Sequence, residues 1–190
     1  EFLGYALTGG LCFGGLFSFI SGSPLVLIEV FEVPANNFGY FFGIVVLGYM
    51  AGTLLGPYVT KSRGLSFSVG IGTVICALGG VAMLVAAWAG LHSISAVIIP
   101  MIVYTLGLGV VLPQSQAGAM APFPEKAGSA SALMGFLMLG FAALLGFLVA
   151  YFYDGTEMAM VMAIGLMGIG SALIFLLTAS GSTEEHWDKN

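Results

Sequence analysis

Few side chains in this sequence could do chemistry. Ser23, between Gly22 and Pro24, is the one serine worth testing as a nucleophile, and His92 is the base that would have to activate it. Ser23 abuts a proline and His92 lies in a short polar turn, so an intramembrane hydrolase is the weakest functional reading. His92, His186, Cys12 and Cys76 have no metal-ligand spacing, so neither a metal nor another cofactor is expected. A different chemistry, hydrogen bonding inside an apolar medium, is offered by two clusters. One is Ile20-Ser21-Gly22-Ser23-Pro24 and the other is Leu112-Pro113-Gln114-Ser115-Gln116. A proline removes a backbone donor and frees a carbonyl. The neighbouring amides and hydroxyls can mend that gap, or can point at a polar substrate.

The elements that carry these clusters follow from composition. Of 190 residues, 59 % are hydrophobic and 7 % charged, and the mean hydropathy is +1.07. Soluble domains carry roughly 25 % charged residues, so the solvent of this chain is lipid. Four Lys and Arg make no phosphate-binding surface, which excludes a nucleic-acid partner. Both cysteines lie inside apolar runs, so no disulfide framework is expected. The chain opens at Glu1 without an initiator Met and is read as a fragment of a longer protein.

A bilayer core about 30 Å thick needs about 20 apolar residues per helix. Six runs qualify, near 2–23, 38–58, 65–90, 94–120, 126–152 and 157–178. None alternates polar and apolar residues as a barrel strand would. The fold class is therefore all-α, a membrane unit of six transmembrane helices spanning 1–179, followed by a polar cytoplasmic tail over 180–190. Six spans put Lys61, Arg63, Lys126 and Lys189 on one side and Glu29, Glu32, His92, Asp154 and Glu157 on the other. The positive-inside rule then predicts that both ends of the chain are cytoplasmic. No Asp, Glu, Lys or Arg sits mid-span. A proton-titrating carboxylate, if one is used, is expected outside this chain.

Glycine is abundant, with 29 residues. Gly48, Gly52 and Gly56 share one stripe of the second span, and Gly128 and Ala132 start a similar row in the fifth. Small residues at spacing four let membrane helices approach closely, so both rows are expected to be packing seams. The two polar clusters fall on the first and fourth spans, the leading helices of two triplets. Successive triplets of three spans run in opposite directions, so the pattern predicts an inverted 3+3 repeat with helix breaks at Gly22, Pro24 and Pro113. At 100° per residue, Tyr5, Thr8, Cys12, Leu16, Phe19 and Ser23 lie within about 60° of one another. Tyr104, Leu108 and Ser115 share a face of the fourth span, with Gln114 at its edge. These faces are read as the walls of a substrate cavity.

The stretches "FLGYALTGGLCFGGLFSFISGSPLVLIEVF" and "LPQSQAGAMAPFPEKAGSASALMGF" resemble the seventh span and the tenth-to-eleventh connection of Bcr/CflA-type drug:proton antiporters, within the major facilitator superfamily. The resemblance runs from Phe2 to about Leu177. It implies the C-terminal half of a twelve-helix transporter of the bacterial inner membrane. Such a protein exports amphipathic small molecules against protons by alternating access. Its partners would be membrane lipid, the N-terminal half or a second half-transporter, the substrate and protons. The embedded proton carboxylate would lie in that N-terminal half. The loop after the second span is similar to the cytoplasmic Gly-rich motif of the superfamily at Gly56, Lys61 and Gly64, but Thr60 stands where the acid belongs, and no gating role is expected there. An uptake or metabolite carrier of the same superfamily is the alternative; an apolar cavity with few charges favours amphipathic cargo over sugars or ions.

Overall fold

A computed structural model describes residues 2–179; the 180–190 tail, with His186 and Lys189, lies outside the described residues. Helix α1 runs over Phe2–Pro24 and continues as a π-helical segment, Leu25–Val30. Then follow α2 (Ala35–Arg63), α3 (Leu65–Trp88), α4 (Ile94–Met120), a 3-10 turn (Pro124–Lys126), α5 (Ala127–Tyr151) and α6 (Met158–Ala179). All six are long and apolar enough to cross a membrane. No strand occurs among the described residues.

Turn chemistry sets the boundaries. Gly64 ends α2 with φ of 87°, and Gly90 and Gly155 take similar left-handed angles in two other connections. Ser93 caps α4 by accepting from the Ala96 N–H at 3.3 Å. The second helix reaches beyond 38–58 at both ends: it starts at Ala35, directly after Pro34, and runs through Pro57 to Arg63 before Gly64 ends it.

Packing follows the repeat. Helix α1 packs on α5 and α6, and α4 packs on α2 and α3; α1 also meets α4, and α3 meets α6. Exchanging the first triplet for the second maps this set of contacts onto itself, as an inverted 3+3 arrangement requires. Contacts also sort the connections by end. Tyr5 meets Ser66, Phe2 meets Phe123 and Gly4 meets Thr178 at one end. His92 meets Glu157 and Tyr153 meets Glu29 at the other. Lys61, Arg63 and Lys126 therefore share an end, opposite Glu29, His92, Asp154 and Glu157.

Three expectations need correction. Pro113 does not break α4, which is continuous from Ile94 to Met120, with Pro100 also inside it. Gly22 lies in unbroken helix, pressed on Met160. Membrane helices tolerate such residues because neighbours and local adjustments re-satisfy the freed groups. Pro24 does mark a change, but of helix type. Beyond it the turns widen, and the Phe31 N–H reaches the Val26 carbonyl at 3.0 Å. The third correction concerns the glycine rows. Gly48, Gly52 and Gly56 do face α4: a Cβ on Gly52 would strike the Leu106 carbonyl oxygen, and one on Gly48 would lie 2.7 Å from Thr105 Oγ1. Gly128 and Ala132 are exposed instead, and a Cβ on Gly128 would meet nothing within 4 Å. Helix α5 packs through Met134, Met138, Ala142, Leu145 and Val149, on its other face.

Candidate functional site

Helices α1, α2 and α4 leave a groove of about 260 Å³ on one flank of the bundle. Phe13, Leu16 and Ile20 of α1 form one wall, and Phe42, Val45, Val46 and Tyr49 of α2 the other; Thr105 and Leu112 of α4 close the floor. Each wall is a helical stripe at three- and four-residue spacing. Phe42 is seated by stacking on Phe19, with ring centroids 6.4 Å apart and planes 17° from parallel. Thr105 clamps the floor to the wall: its hydroxyl lies 2.9 Å from the Val45 carbonyl across the helix pair, and 3.0 and 3.1 Å from the Met101 and Ile102 carbonyls of its own helix.

No charged residue lines this groove. The Tyr49 hydroxyl is half-buried and has no hydrogen-bond partner among the described residues. Aromatic faces, aliphatic walls and one free hydroxyl can hold a flat amphipathic molecule and orient it by a single polar contact. They supply no acid, base or nucleophile.

The polar faces read from the sequence lie elsewhere. Thr8, Cys12, Phe19, Ser23, Tyr104, Leu108 and Ser115 are all fully buried within the six-helix unit. Tyr104 donates to the Cys12 carbonyl at 3.0 Å and accepts the Cys76 thiol on its own carbonyl at 3.3 Å, tying α1, α3 and α4 together. Tyr5 is spent on Ser66 Oγ at 2.8 Å. Gln114 turns toward α2 beside Gly56, whereas Gln116 is exposed. The hydroxyls of Thr8, Ser23 and Ser115 are buried without a partner. Ser23 thus has no base beside it, and His92 is engaged by Glu157. Of the expected face, only Leu16 reaches the groove. Phe13, Ile20, Phe42, Val46 and Tyr49 lie outside the polar faces; their signal in the sequence is the apolar stripe on the less glycine-rich side of each helix.

Electrostatics concentrate at the acidic end. His92 Nδ1 lies 2.6 Å from Glu157 Oε1, and the Glu157 side chain is 4 % exposed against 60 % for His92. Asp154 accepts from the Thr156 hydroxyl at 2.6 Å and the Thr156 N–H at 3.1 Å. The hydroxyl bond, then the backbone bond, holds its carboxyl below the usual aspartate range.

Over its whole length the chain is 30 % identical to the uncharacterized MFS-type transporter YdgK of Bacillus subtilis, covering 46 % of that protein. It is 27 % identical over 95 % of its length to a bicyclomycin resistance protein homolog of Haemophilus influenzae, covering 45 % of it. Multidrug resistance protein D of Escherichia coli is 26 % identical over 85 % of the chain. The chain resembles one half of an MFS-type transporter. It spans about half the length of the curated relatives it matches. No protein-family model matches it, and no solved structure matches at a significant level. Six apolar helices with the contact pattern above fit one half of such a transporter.

Proposed function

We propose that this chain is the C-terminal half of a proton-coupled efflux transporter for amphipathic small molecules, acting by alternating access. Its place is the bacterial inner membrane, with Lys61, Arg63, Lys126 and both chain ends on the cytoplasmic side. The N-terminal half would close the groove between α1, α2 and α4 from the opposite side and would carry the proton-binding carboxylate. The observation that carries this reading is the uncharged aromatic groove, which supports an amphipathic rather than a sugar or ion cargo. Drug-resistance proteins among the relatives favour export over uptake.

Leu16→Trp tests the groove. The added ring fills space that cargo would use, while the rest of the bundle keeps its packing. In the two-half transporter, drug export should fall about tenfold, the equivalent of losing about 1.4 kcal/mol of cargo binding. Protein abundance and melting temperature should be unchanged. Export at the wild-type rate would remove the groove from the pathway.

A further inference from the structure

A second groove lies where the start of α1 meets the start of α5, at the basic end. It measures about 240 Å³ and is lined by Phe2, Phe123, Lys126, Ser129, Ala130 and Leu133. Phe2 and Phe123 meet edge to face, centroids 6.1 Å apart, and close one end of it. Four of the six lining residues, Phe2, Phe123, Ala130 and Leu133, make an apolar surface along the helices; Lys126, just ahead of α5, stands at its end.

The cations at this end are not equivalent. Lys61 and Arg63 occupy the last turn of α2, where the helix dipole favours positive charge, and Arg63 also lies over the Phe67 ring at 5.2 Å. Lys126 has neither advantage. It is exposed, it makes no ion pair among the described residues, and neighbouring Glu125 does not engage it. The Ser129 hydroxyl, one turn on, is equally unengaged.

We infer that this groove binds an anionic phospholipid. The headgroup phosphate sits on the Lys126 ammonium and the Ser129 hydroxyl, and an acyl chain lies over Phe2, Phe123, Ala130 and Leu133. The ligand must be both anionic and long-chain, because the cation sits at the mouth of an apolar channel at the end of membrane-spanning helices. The repeat provides an internal comparison. The equivalent groove between the starts of α4 and α2, at the acidic end, is larger, about 520 Å³, and has no charged residue in its lining. It offers a lipid tail a surface but gives a headgroup no cation. The inference rests on the six membrane spans and is independent of what the transporter carries.

The test uses the purified 190-residue chain in detergent, melted with increasing phosphatidylglycerol or phosphatidylcholine. Phosphatidylglycerol should raise the melting temperature at lower concentration than phosphatidylcholine. K126Q, at an exposed position, should need about fivefold more phosphatidylglycerol for half the effect, one lysine's worth of headgroup attraction. K126R should behave as wild type. A130W, which fills the channel without touching charge, should lose the preference, and K61Q/R63Q should keep it. An unchanged preference in K126Q would overturn the inference. So would equal loss in K61Q/R63Q, which would mean diffuse attraction to the basic end, or a full effect from inorganic phosphate alone, which would mean an anion site without a lipid.

Discussion

At the scale of single residues, the hydroxyls and the glycines decide where this protein is tight and where it is open. In lipid a polar side chain is costly to expose, so these residues turn into the bundle, where Tyr5, Tyr104 and Thr105 find partners on other helices while the Thr8, Ser23 and Ser115 hydroxyls are buried without one. This is why the face from Tyr5 to Ser23 became an inner seam and not a cavity wall. A reading that equates polar with cavity holds for a protein in water; here the open groove is lined by Phe13, Leu16 and Ile20. The glycine rows show the same limit. Spacing four was legible at Gly48–Gly52–Gly56 and at Gly128–Ala132, but only packing shows which row meets a neighbour. Gly52→Ala places a methyl group on the Leu106 carbonyl and should cost about 1–3 kcal/mol. Gly128→Ala enters open space and should be neutral or slightly stabilising through helix propensity. Melting of the two variants in the same detergent separates them; equal losses would contradict the packing described.

At the scale of elements, the sequence was more informative. Six apolar runs and the opposed positions of the two proline clusters predict the helices, their number and their inverted relation. The prolines themselves were less legible, because a proline's effect depends on neighbours that sequence does not display. Pro113 is absorbed in α4, while Pro24 shifts α1 into wider turns. The connections at the acidic end are held by side chains that make two predictions. His92→Ala leaves the buried Glu157 carboxylate unpaired and should cost about 1–3 kcal/mol. Glu157→Gln keeps an acceptor for His92 and should cost less. The reverse order would deny the pair its role in anchoring the α3–α4 turn to α6. Asp154 carries the pH dependence. Because the folded state lowers its carboxyl below the ordinary value of 3.8, its contribution is complete above that value and is lost as pH falls through the lowered one. Asp154→Asn should therefore loosen the α5–α6 turn at neutral pH, read by amide exchange at Thr156, and should have no effect in strong acid. A difference that persists in acid would contradict the Asp154–Thr156 bonds.

At the scale of the molecule, the contacts explain what the unit can and cannot do alone. Helices α1 and α4 are the most buried spans, and α2 and α5 the least. The centre is thus saturated while α2 and α5 remain the most open spans. Alternating access, as proposed above, needs two bodies that rock around a site between them, and the six helices described form one body. The uncharged groove also lacks any group to take up a proton. The most direct measurement is drug/proton antiport in liposomes with a pH gradient, comparing this chain alone with this chain co-reconstituted with a complementary N-terminal half. The account predicts no antiport above the empty-liposome background for the chain alone and recovery of gradient-driven drug movement with both halves. Robust antiport by the 190-residue chain as a monomer would contradict it.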